Sequence, residues 1–153
     1  MLNITVSLNS KNRKIFCLLC AFCAVAAIYL FCGGFLVSQN GKTNEKRVEY
    51  ISSVGISVAS APSEVKTVKI PLEFDDVYIC YNSVQKKAGF DLLPFAGKQV
   101  TLYTYPLLKN DYVADVHLIV FKGEIIGGDI CGRALGSEML PLNRDSAMYF
   151  KGD

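Results

Sequence analysis

From Ile15 to Val37 the chain carries no charged side chain, and the hydroxyl of Tyr29 is the one polar handle in that run. As a helix these residues reach about 34 Å at roughly 1.5 Å per residue, enough for a hydrocarbon core of about 30 Å. Lipid leaves unpaired backbone groups unsatisfied, so a single spanning segment has to be helical. The run therefore predicts a transmembrane anchor over residues 15–37. Membrane lipid is then the first partner of the chain.

Within the run, Cys17, Cys20 and Cys23 have C-x-x-C-x-x-C spacing, which in a soluble loop suggests thiolate ligation of zinc or an iron–sulfur cluster. Nothing beside them stabilises a thiolate: Leu18, Leu19, Ala21 and Phe22 are apolar. Free cysteine packs as a small hydrophobe, so no metal is expected. Acylation of Cys17 or Cys32 near the boundary is the remaining chemistry of the segment.

Lys11, Arg13 and Lys14 precede the run, as in a cleavable leader. A leader's apolar region spans about 7–15 residues, however, and Ser38, Gln39 and Asn40 offer no small-residue cleavage site. Retention is favoured. The tight basic cluster before the run, against the mixed Lys42, Glu45, Lys46, Arg47 and Glu49 after it, predicts the N-terminus inside and the remainder outside the cytoplasm. The expected organisation is a cytoplasmic N-terminus (1–14), the anchor (15–37), a linker (38–43), an extracytoplasmic domain (44–142) and a C-terminal tail (143–153).

The formal charge of +2 belongs to the targeting cluster: without its three basic residues, 13 basic face 14 acidic side chains. A near-neutral outer part has no electrostatic footprint for nucleic acid. Cys80 and Cys131 lie in it, and an oxidising compartment permits a disulfide where geometry allows.

Beyond the anchor, Thr43 or Asn44 can cap a helix running through Val54, ended by Gly55. Ile56–Ala59 and Val65–Ile70 read as extended. Phe74–Ala88 is amphipathic: Phe74, Val77, Tyr78, Tyr81, Val84 and Ala88 share one arc, and Asp75, Asp76, Asn82, Ser83, Lys86 and Lys87 take the other. Gln99–Tyr105, Val113–Phe121 and Glu124–Ile130 are rich in β-branched and aromatic residues. Lys122–Gly123 joins the last two, and in a simple two-residue hairpin Val120 faces Ile125 and Ile119 faces Ile126. The prediction is an α+β domain: a small antiparallel sheet packed with two helices, covered on one side.

Gly127 and Gly128 in "KGEIIGGDIC" match neither the dinucleotide fingerprint nor the P-loop pattern. Paired glycines inside a strand mark a bulge or the close approach of another backbone. Asp129 beside them is either aimed into a cleft or held by local hydrogen bonds. His117, the single histidine, shares a strand face with Asp115, which is half of a catalytic triad. No nucleophile elbow accompanies it, and in the simple hairpin register Asp129 points away from it. Glu73, Asp75 and Asp76 fit helix-start electrostatics better than an acid–base pair. No cofactor is expected.

The string "IPLEFDDVYICYNSVQKKAGFDLLPFAGKQVTLYTY" with "LIVFKGEIIGGDIC" resembles a family of membrane-anchored proteins from Gram-positive, clostridial-type bacteria whose shared domain has no assigned function (DUF4830). Tyr81-Asn82, Gly89-Phe90-Asp91-Leu92 and Gly127-Gly128-Asp129 carry the resemblance. It implies an N-terminal anchor and an outer α+β domain, and no activity, ligand or catalytic residue.

Two functions remain open. One is a binding module for another envelope protein or a wall component, using Tyr103, Tyr105 and Tyr112 as amphipathic contact area and Gly127, Gly128 and Asp129 as the accompanying site. The other is a small envelope hydrolase using His117 with Asp115 or Asp129, which requires those groups to converge in a cleft.

Overall fold

The computed structural model describes residues 39–108, 113–134 and 136–150. The apolar run 15–37 lies outside them, and no helix among the described residues is long and apolar enough to cross a membrane. Helix α1 spans Asn44–Ser53, strand β1 Glu64–Lys69, helix α2 Asp76–Lys87, and a 3-10 turn Leu93–Phe95. Strands β2 (Gln99–Pro106), β3 (Ala114–Phe121), β4 (Glu124–Gly132) and β5 (Met139–Pro141) follow, then helix α3 (Arg144–Phe150).

Local chemistry sets the helix starts. The Thr43 hydroxyl accepts from Lys46 N, and the Asp75 carboxylate accepts from Tyr78 N at 2.8 Å. Each satisfies an amide that the first turn of a helix leaves open. Asp76 begins α2 and Lys86 and Lys87 end it, as the helix dipole favours.

The five strands form one antiparallel sheet in sequence order, a simple meander. Its tightest turn is Lys122–Gly123, where both residues hold positive φ, 50° and 86°. That pair of left-handed conformations matches the strand twist in a two-residue hairpin, and glycine adopts it without a Cβ clash.

Past this turn the pairing leaves the simple register. Val120 faces Ile125 as expected, but Ile119 faces Gly127 rather than Ile126. Ile126 is therefore the extra residue of a β-bulge, which moves every later β4 residue by one place relative to β3. His117 consequently lies directly opposite Asp129.

Both faces of the sheet are covered, not one. Val116, Leu118 and Val120 pack into a cluster with Tyr50 and Ile51 of α1 and Ala147 of α3. Ile119 joins Ile70, Leu92, Val100 and Ile126 on the alternate face, where Tyr78 and Tyr81 of α2 pack. Leu118 and Val116 are fully buried, each contributing about 1.5–3 kcal/mol by area removed from water.

Three further expectations change. Within the segment 143–153, expected as a tail, Arg144–Phe150 forms α3, and Ala147 is part of the core. It is the third helix where two were expected. The segment 38–43, expected as a linker, is fastened from its first described residues: Gly41 N bonds Gly123 O at 2.8 Å and Ile125 N bonds Gln39 O at 2.6 Å. The buried arc of α2 is also rotated. Val77 is exposed, while Asn82 and Gln85, the former assigned to the solvent side, are its buried residues.

Candidate functional site

Asp129 is the centre of a polar network between the sheet and α2. Its side chain is 1% exposed. Oδ1 accepts from His117 Nδ1 at 2.8 Å, and Oδ2 accepts from the Tyr81 hydroxyl at 2.9 Å and, more weakly, from Gln85 Nε2 at 3.4 Å. The Gln85 carbonyl oxygen takes the Gly128 amide at 2.7 Å. A buried carboxylate is tolerated only when its lone pairs are answered in this way.

The glycines make the network possible. A Cβ on Gly127 would meet Gln85 Oε1 at 2.9 Å, and one on Gly128 would meet Leu142 Cδ2 at 2.6 Å and the His117 carbonyl at 3.1 Å. Of the two readings of the pair, the bulge is found immediately before Gly127, while the space a side chain would need at Gly127 is taken by the Gln85 side chain rather than by another backbone.

Asp129 as acceptor holds His117 in the tautomer with hydrogen on Nδ1, leaving Nε2 with a lone pair when the ring is neutral. The side chain is 25% exposed. Burial pushes its pKa down, but the hydrogen bond and charge of Asp129, with the charges of Asp115 and Glu64, outweigh it and leave His117 raised. Tyr81 is driven well above the ordinary phenol range by burial and by the adjacent Asp129, so it stays a neutral donor.

The other acid proposed for His117 is occupied elsewhere. Asp115 takes both arms of the Arg133 guanidinium, 2.7 Å from Nε and 2.5 Å from Nη2. That hydrogen bonding outweighs burial and holds its carboxyl below the ordinary value.

A hydrolase needs a nucleophile and a cleft. Cys131 follows on the same face as Asp129, but burial and the charges of Asp129 and Asp115 raise its pKa, the opposite of what activates a thiol. No described residue bonds His117 Nε2. Four hollows formed by described residues lie elsewhere, and none is lined by His117, Asp115 or Asp129. No cluster of three or more metal-ligating side chains occurs among the described residues. Cys80 and Cys131 are both free.

Of the tyrosines expected to form a contact surface, Tyr103 and Tyr105 pack on the α1 side of the sheet. Tyr105 has no exposed area. Its hydroxyl accepts from Arg47 Nε at 2.8 Å and donates to Asn44 Oδ1 at 3.0 Å. Arg47 also bonds Gly41 O at 2.7 Å and stacks its guanidinium 3.7 Å from the centre of the Tyr103 ring. Tyr103 and Tyr105 are thus part of a clasp on α1, which removes the contact role given to Tyr105. Tyr112 lies outside the described residues.

Two features went unforeseen. One is the pair of buried amides: Asn82 donates to Asp91 Oδ1 at 2.9 Å and accepts from Leu92 N at 2.8 Å, pinning the turn after α2. Polarity placed Asn82 in water; the Asp91 and Leu92 positions nine and ten residues on were the available signal. The other is an apolar hollow of about 570 Å³ between α2 and the 3-10 turn, walled by Leu72, Phe74, Ile79, Leu93 and the Lys86 stem. Leu72, Ile79 and Leu93 are 74%, 55% and 58% exposed.

Compared with family models, curated proteins and solved structures, the chain matches none.

Proposed function

We propose that this is a single-pass envelope protein in which residues 15–37 cross the membrane, the N-terminus lies inside, and the outward α+β unit binds another envelope protein or a wall component. The observation that carries the binding role is the hollow walled by Leu72, Ile79 and Leu93. Each of these side chains leaves more than half of its area in water, and they are grouped rather than scattered, the pattern of an interaction site. The resemblance to the DUF4830 family and the charge-free run support the tether.

A photoreactive side chain at Leu93, in intact membranes, is expected to capture a partner, and Ile79→Glu is expected to abolish the adduct. An adduct unaffected by Ile79→Glu overturns the role of the hollow. For the tether, the exposed Cys80 is expected to react with an impermeant maleimide in whole cells, and the chain to stay with membranes in carbonate.

The second reading is a small hydrolase, favoured by the 2.8 Å His117–Asp129 contact. It predicts that ester or amide turnover by the purified chain vanishes in His117→Ala. Turnover that persists unchanged in that variant removes it.

A further inference from the structure

The two edges of the sheet are unlike. Strand β5 has three residues and ends in Pro141, the short, proline-closed kind of edge that resists further pairing. Strand β1 has six, Glu64–Lys69, and no proline. It stands at the end of the strand order, so among the described residues no strand pairs with its outer side. Every β1 residue except Val68 is exposed.

The ladder to β2 decides which backbone groups face out. Ile70 N bonds Lys98 O at 3.0 Å, and the register continues with Val68 opposite Val100, Lys66 opposite Leu102 and Glu64 opposite Thr104. Bonded and unbonded positions alternate along an antiparallel pair. The N–H and C=O groups of Val65, Thr67 and Lys69 therefore point away from β2, into the open edge.

The side chains on this edge are self-complementary in their order. Val65 lies opposite Tyr103, on the α1 side, and is 54% exposed. Glu64 and Lys66 share the α2 side with Val68, which packs in the cluster of Val100 and Leu102, and they form an ion pair at 2.7 Å. A two-fold axis that passes through the sheet at one residue sets positions before and after that residue opposite each other in two copies. Centred on Glu64 or on Lys66, it sets that charge against its own copy. Centred on Thr67, it sets Lys66 against Val68 and Glu64 against Ile70. Centred on Val65, it sets Glu64 against Lys66 of the second copy, once on each side of the axis, and Val65 against itself.

We propose that β1 pairs edge to edge with β1 of a second copy, antiparallel about a two-fold axis at Val65, so that two sheets join into one. The outward N–H and C=O of Val65 then exchange with those of the second copy, as in any bonded antiparallel pair. Charged residues protect an edge against indiscriminate pairing; here their order makes one symmetric register attractive and the others repulsive or neutral. The contact is a single short strand, so association is expected in the micromolar range. This surface is separate from the hollow at Leu72, Ile79 and Leu93, and the inference does not rest on the tether.

Sedimentation of the full chain in mild detergent, from about 1 to 100 μM and with a reductant to exclude dimers through the exposed Cys80, reads the association. The chain is expected to pass from monomer to dimer over that range. Glu64→Lys and Lys66→Glu each bring like charges together across the axis, and each alone is expected to weaken dimerisation about tenfold or more. Mixed in equal amounts, the two variants are expected to associate again, because every facing pair is then of opposite sign although the pair within each chain stays broken. Val65→Pro removes an outward N–H that β2 does not use and is expected to abolish the dimer with the unfolding midpoint of the monomer unchanged. A chain that stays monomeric throughout, a dimer indifferent to both reversals, or a mixture that associates no better than its components overturns the pairing. So does a folded Val65→Pro chain that still dimerises; if that variant does not fold, the mixture decides.

Discussion

Two polar clusters fasten helices to opposite faces of one sheet, and they differ in which partner carries the fixed charge. On the α2 face, buried Asp129 accepts from His117, Tyr81 and Gln85. On the α1 face, buried Arg47 donates to Tyr105 and Gly41 and stacks on Tyr103, with no carboxylate among those partners. Arginine remains charged at every pH a folded protein meets. The Asp129 cluster contains a histidine, whose charge depends on pH and whose protonated form the fold favours. One fastening is therefore constant, and the other depends on proton activity.

The comparison can be broken by removing its centres. Asp129→Ala has the largest expected effect, about 3–5 kcal/mol in denaturant unfolding, because it leaves Tyr81 and Gln85 buried without their acceptor. Arg47→Met keeps much of the stem and is expected to cost about 2–3 kcal/mol by removing the guanidinium bonds to the Gly41 carbonyl and to the Tyr105 hydroxyl, which keeps its bond to Asn44. A smaller loss for Asp129→Ala than for Arg47→Met would reverse the ranking of the two clusters. Gly128→Ala is expected to cost about 1–3 kcal/mol through overpacking against Leu142 and the His117 carbonyl, with a shifted His117 ring resonance in NMR.

The smallest effect separates the clusters most directly. His117 is raised in the folded state, so it binds its proton more tightly there than when unfolded. Its contribution is complete below the unfolded value of about 6.5 and is lost as pH rises through the folded value. The unfolding midpoint is expected to fall as pH rises above about 6.5, and His117→Asn is expected to flatten that part of the profile. Arg47→Met should retain the slope. A slope that survives in His117→Asn assigns it to another group.

Elements whose cause is local were legible in the residues. Thr43 starts α1 and Lys122–Gly123 turns the hairpin, each through chemistry within a few positions. The α+β class followed from two periodicities, 3.6 and 2. The site was legible only in fragments. His117, Asp129 and the glycines each stood out, yet their meeting depended on one extra residue, Ile126, whose insertion reverses the facing of the later β4 residues. A bulge signal at Gly127–Gly128 was present; its exact position was set by which side chains the two faces could accept.

The buried amides show the same limit. A helical wheel sorts by polarity, so it sends Asn82 to water, although in the folded chain Asp91 and the Leu92 amide satisfy it. Tyr105 was misjudged for the converse reason: its amphipathic character suits an interface, but Arg47 and Asn44 satisfy its hydroxyl internally.

Residue order alone determined where this chain turns, where its helices begin, and that Ile15–Val37 carries no charge, because those properties arise from neighbours in sequence. Which polar groups are inside, which strand faces which, and that both sides of the sheet are covered were decided only by the folded arrangement. Burial and hydrogen-bond satisfaction are sums over partners that come together from distant parts of the chain.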